Sequence, residues 1–113
     1  MPADLSLDGL RFAMVSSTAS AVDPHHPTTF EYHQDGRLVW GEYLGDTVTE
    51  GRFVGEVAGP EVRISFAHAL VSDGSVVRGE AVSRAESDDD GRIRLIEDFL
   101  VGDEPHVSVC VQV

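Results

Sequence analysis

The chain has 113 residues, a 42% hydrophobic share and a formal net charge of -12, from 20 acidic against 8 basic residues. That length allows one domain with a single core, 1–113, and so acidic a surface repels nucleic acid and anionic membranes, excluding both as expected partners. Every basic residue is an arginine, so a Schiff-base lysine, a pyridoxal-phosphate lysine and a P-loop lysine are all impossible.

Cys110 is the single cysteine, so no intrachain disulfide can form. Met1 to Leu10 carries two aspartates and no apolar core, unlike a signal peptide. No apolar run approaches the ~20 residues of a spanning helix. A cytoplasmic location is the expectation, and the abundance of Ala, Val, Gly, Asp and Arg suggests a GC-rich bacterial source.

In chain order, short alternating segments follow one another with turn residues between them. Strand one is expected at Gly9 to Ser17, with Leu10, Phe12, Met14 and Ser16 on one face. Thr18 to Pro27 is the longest irregular segment, since Pro24 and Pro27 bar a helix or central strand. Strand two, Thr28 to Gln34, sets Phe30 and Tyr32 together; Asp35-Gly36 reads as a two-residue hairpin turn into strand three, Arg37 to Leu44. Gly45-Asp46 turns into strand four, Thr47 to Val57, whose Gly51 and Gly55 share a face with Phe53. Regular glycine on one face marks a barrel bend or a close backbone approach.

Gly59-Pro60 leads to strand five, Glu61 to Leu70, with Val62, Ile64, Phe66 and His68 facing one way. Ser72-Asp73-Gly74 turns into strand six, Val76 to Arg84. Glu86 to Gly91 turns into strand seven, Arg92 to Val101, and Gly102 to Pro105 into strand eight, Val107 to Val113. About eight short strands with short connections predict an all-β, single antiparallel up-and-down meander. With no helix to cover either face, closure into a calycin-like barrel is expected, whose interior fits side chains or one small ligand.

The stretch TFEYHQDGRLVWGEYLGDTVTEGRFVG, Thr29 to Gly55, carries a Phe30-x-Tyr32-x-Gln34-x-Gly36 run, then Tyr43-x-Gly45 and two spaced glycines. With Phe66-x-His68, Gly79 and the run Asp90 to Glu97, it resembles a family of small bacterial β-meander proteins described in genomes as N-acetylglutamate synthase-like. The architecture is similar to avidin-like and lipocalin-like barrels. The resemblance implies the fold. The Gln/Arg-x-x-Gly-x-Gly/Ala pyrophosphate loop of the usual acetyl-CoA-dependent acyltransferases is absent, as is a helix to follow it.

Side-chain parity then selects the inner residues. The glycine face of strand four points inward, which aligns Val39, Gly41 and Tyr43, then Ile64, Phe66 and His68, then Gly79, Ala81 and Ser83, and finally Ile93, Leu95, Glu97, Phe99 and Val101. Glu97 and His68 are the polar residues on an apolar parity. A carboxyl in such an interior finds a partner or keeps its proton, which is what a general acid or base requires. They are the candidate catalytic pair, and Tyr32, Tyr43, Phe53, Phe66, Ser83 and Phe99 the candidate ligand contacts. The competing reading is that Glu97 belongs to a structural hydrogen-bond or ion-pair network.

His25 and His26 with Asp23 lack metal-ligand spacing, and Asp88-Asp89-Asp90-Gly91 lacks a calcium loop's terminal glutamate, so neither a metal nor a cofactor is expected. Trp40 falls on the outer face and strand eight alternates four valines, so a homodimer through Trp40 and Val107 to Val113 is expected. Cys110 has the opposite parity and reads as structural.

Three functions follow from these residues. One is a barrel binding a small apolar or aromatic molecule. Another is a cofactor-independent cyclase, isomerase or dehydratase of secondary metabolism using Glu97 and His68 for proton transfer. The third is a structural or regulatory homo-oligomeric module.

Overall fold

A computed structural model describes residues 6–18, 22, 25–101 and 103–113. The strands are β1 (Arg11–Ser17), β2 (Thr29–Asp35), β3 (Leu38–Gly45), β4 (Val48–Ala58), β5 (Glu61–Leu70), β6 (Val76–Ser87), β7 (Ile93–Val101) and β8 (Glu104–Gln112). Each pairs antiparallel with the next, and β8 returns to β1, closing the barrel. Closure removes every long edge, which is how so strand-rich a chain avoids edge-to-edge association.

Several boundaries differ from the sequence reading, each for a local reason. Asp35 pairs with Leu38, so Gly36 and Arg37, and not Asp35 and Gly36, occupy the centre of the first hairpin. Gly36 has φ 61°, and glycine at the first central position is what a primed two-residue turn demands. Gly9 has φ 76° and lies in a turn, so β1 begins two residues later, at Arg11. Strand β6 runs on to Ser87, through part of the expected polar turn. Strand β8 starts at Glu104 and includes Pro105. Its β1 partners begin only at Ser108, so at Pro105 the proline's missing N–H disrupts no β1 ladder.

Strand β8 is therefore an interior member of the barrel, paired on both sides, and its valines offer no sheet edge. Trp40 lies on the outer wall as parity requires, stacked on His33 with ring centroids 5.7 Å apart.

The interior is built from rows of inward side chains that cross the strands. One row runs Tyr32–Gly41–Phe53–Phe66–Gly79, and the next Phe30–Tyr43–Gly51–His68–Val77. In both, rings lie over glycines: a Cβ on Gly41 would strike the Phe53 ring, one on Gly51 the Tyr43 ring and one on Gly79 the Phe66 ring. The aromatic residues fit because the neighbouring strand offers bare backbone.

The barrel is packed at one end and hollow at the other. At the end bearing the β2–β3, β4–β5 and β6–β7 turns, Leu7, Phe12, Tyr32, Val39, Val57, Val62 and Leu95 form a close cluster. The chain ahead of β1 fastens there. The Leu7 N–H donates to Gln34 Oε1 at 2.8 Å, the Gln34 N–H to Asp8 Oδ1 at 2.9 Å, and the Gly9 N–H to the Tyr32 carbonyl at 3.0 Å. Fully buried Leu7 thereby stoppers this end.

Candidate functional site

The opposite end, where the β1–β2, β3–β4 and β5–β6 connections lie, holds a cavity of about 220 Å³. Its wall is mostly apolar: Met14, Phe30, Val48, Ile64, Phe66, Leu70, Val77 and Phe99. Ser17, Thr28 and Thr47 rim it, and among the described residues three ionisable side chains reach it, Tyr43, His68 and Glu97. Ligand sites of this kind combine an apolar body with a few convergent polar groups.

Glu97 stands at the centre of the row Ser83–Glu97–Ser108, where the packed half meets the cavity. Ser83 Oγ donates to Glu97 Oε2 at 3.3 Å and Ser108 Oγ to Oε1 at 3.2 Å. Both serines are buried behind the carboxyl, while Glu97 keeps some accessible surface and lines the cavity. Removal from water raises its pKa above the usual carboxylate range, and the Ser108 and Ser83 hydroxyls pull it partly back.

Tyr43 and His68 form the second polar feature. Tyr43 Oη lies 2.8 Å from His68 Nδ1, and the rings meet edge to face with centroids 5.5 Å apart. Burial, with the negative Glu97 as the lesser cause, pushes the phenol far up, and burial pushes the imidazole down. Tyr43 therefore donates and neutral His68 accepts at Nδ1, which assigns the ring proton to Nε2. Phe66 also stacks on His68, with centroids 5.9 Å apart and planes 7° from parallel.

Of the residues expected from sequence, Glu97, His68, Tyr43, Phe66 and Phe99 come together around this cavity. Tyr32, Phe53 and Ser83 do not line it. Tyr32 and Phe53 pack against each other at 4.6 Å between centroids in the filled part of the barrel, and Ser83 acts through Glu97. Sequence reasoning missed Ser108 as the second serine on the carboxyl, although it shares Cys110's inward parity. Phe30, Ile64 and Val77 are further wall residues outside the expected contacts, although Phe30 alternates with Tyr32 and Ile64 with Phe66 on inward faces.

Asp23, named beside His25 and His26 in the metal question, falls outside the described residues. Among the described residues, Glu31, His33 and Glu42 bring ligand-type atoms within 4.8 Å of one another, on the outer wall. Arg11 stands 3.9 Å from Glu31 and Arg52 3.8 Å from Glu42, so guanidinium groups already offset those carboxylates.

Comparison with known proteins decides the family. Residues 5–113 match the family described as avidin-like protein, over nearly the whole chain and all eight strands. The chain belongs to the avidin-like protein family. No curated protein and no solved structure matches it. The likeness to avidin-like barrels is thus the part of the sequence resemblance that stands; the N-acetylglutamate synthase-like description finds no support.

Proposed function

We propose that this avidin-like barrel is a receptor for one small, largely apolar ring-bearing molecule, which enters the hollow end and is oriented by Glu97, Tyr43 and His68. The observation that carries the reading is the half-filled interior. The same barrel that is stoppered by Leu7 keeps an apolar cavity of about 220 Å³ with three polar groups converging on it. That is below the roughly 300–1,000 Å³ of drug-sized sites, so it suits a single ring with a short arm. The family is consistent with small-molecule binding.

Titration with indole, followed by NMR shifts at the Met14 methyl and His68, tests this. Shifts confined to the cavity wall support the receptor. If neither indole nor any other small aromatic in a panel moves those signals, the reading fails.

One observation favours a second reading, a cofactor-independent acid–base enzyme. A carboxyl whose pKa is raised and an imidazole whose pKa is lowered face the same cavity. Environments that push two titratable groups in opposite directions suit a proton donor and a proton acceptor near neutral pH. Under this reading E97Q abolishes turnover while leaving the fold intact.

A further inference from the structure

We propose that the cavity selects a ligand bearing a compact cationic nitrogen, a primary or secondary ammonium, on its small apolar body, with Glu97 as the counter-ion. The inference rests on the receptor reading and names the chemistry that receptor would recognise.

Three independent observations converge. First, among the described residues, Glu97 faces the cavity with only neutral partners. A carboxylate offers about four lone-pair sites, and Ser83 and Ser108 use one on each oxygen from behind. All eight arginines, the only Arg or Lys side chains in the chain, are exposed, so none can neutralise Glu97 from within. Among the described residues, His68 is the one other basic group on the wall, and its Nδ1 is occupied by the Tyr43 hydroxyl. Inside a protein an uncompensated carboxylate is costly, and a bound cation removes that cost.

Second, the remaining wall is aromatic on several sides: Phe30, Tyr43, Phe66 and Phe99 all border the space that Glu97 enters. Ring faces attract cations and do so more strongly when water is excluded. Third, the protein carries a net charge of -12, a field that draws cations toward its openings and repels anions. An anionic ligand would meet the wrong sign at both the surface and Glu97. A neutral ligand can hydrogen-bond the carboxyl but does not offset its charge.

The test uses three probes sharing one body: 2-phenylethylamine, 2-phenylethanol and phenylacetate. Each is titrated into the intact chain near neutral pH, in about 0.3 M salt to screen the surface field, with Met14 and His68 NMR shifts reporting cavity occupancy. The amine is expected to bind at least about tenfold more tightly than the alcohol, and the carboxylate not to compete. E97Q, which retains acceptor and donor atoms for both serines, should lose the preference for the amine, its amine-to-alcohol affinity ratio falling toward one.

Equal affinity for amine and alcohol in the unmodified protein overturns the proposal without any variant. So does an amine preference that survives in folded E97Q, since it would then come from the surface charge. If the alcohol binds and the amine does not, this inference fails and the receptor reading stands. If none of the three shifts the cavity signals while indole does, this inference fails and the receptor reading stands; if indole and the aromatic panel fail as well, both fall.

Discussion

Tyr43 and His68 sit on strands that are not neighbours, and their side chains meet across Gly51 of the strand between them. Tyr43 pairs with Gly51 and Gly51 with His68, so the glycine's bare backbone forms the slot in which the phenol lies. The 2.8 Å hydrogen bond from Oη to Nδ1 depends on that missing Cβ. Gly51→Ala would put a methyl 2.5 Å from Tyr43 Cζ. Overpacking of this kind costs roughly 1–3 kcal/mol. Urea denaturation should show that loss, and the Met14 signals should move as the cavity wall is displaced.

Tyr43→Phe keeps the ring and deletes the donor. A hydrogen bond to neutral imidazole favours the uncharged form, so its loss should raise the His68 pKa from its lowered value, toward the ordinary 6.5. An NMR titration of the His68 ring in both proteins measures the difference. An unchanged or lower pKa would mean that Tyr43 is not the donor.

Glu97 gives stability a pH dependence of definite sign. Among the described residues, Tyr32 from β2, Tyr43 from β3 and Cys110 from β8 are the titratable groups coupled to it, and all three stay protonated because burial raises their pKa values. Glu97's own pKa is raised in the folded protein, so the fold holds its proton more tightly than the unfolded chain does. Its contribution is complete below the ordinary value of 4.5 and is lost as pH rises toward the folded pKa. E97Q cannot ionise and escapes that loss. The two proteins should melt together in acid, and E97Q should melt higher near neutral pH. His68 acts with the opposite sign, losing stability as pH falls through 6.5, but it is common to both proteins and cancels in the comparison.

Leu7 is the stopper of the packed end, fully buried although it precedes the first strand. Leu7→Ala should cost about 2–5 kcal/mol, the range for truncating a core leucine. The cavity signals at the far end should be nearly unchanged, because the cavity wall does not include Leu7. Thermal melting and the indole titration read the two effects separately.

Cys110 faces inward, is buried, and has a thiol whose pKa is pushed up by burial and by Glu97. Since the thiolate is the reacting form, a thiol reagent should label the native protein slowly and the urea-unfolded protein fast. Comparable rates would place Cys110 at the surface.

Much of this was legible in the residues themselves. Strict alternation marked eight strands and assigned Glu97 and His68 to the inside, because a one-residue shift would have exposed Phe66, Leu95 and Phe99 together. Glycines 36, 45 and 59 announced turns through the positive φ they adopt, even where the turn centre lay one residue away. Glycines 41, 51 and 79 mark the places where rings press on backbone, although only their regularity, and not their partners, could be read from sequence.

What pattern alone could not supply was position along the barrel axis. Period-two alternation says which face a side chain occupies, but strand tilt and register determine which inward residues share a level. Hence Tyr32, Phe53 and Ser83 were grouped with the cavity residues, yet Tyr32 and Phe53 lie in the packed part and Ser83 stands behind the carboxyl. Leu7 carries no periodic signal, and only the folded chain brings it onto Gln34 to fill one end. Alternation along the chain specifies the strands, their inward faces and a carboxyl on an apolar side. Tertiary register alone decided that Glu97 meets Ser83, Ser108 and an open cavity, because cross-strand neighbours belong to the pairing and not to any one strand.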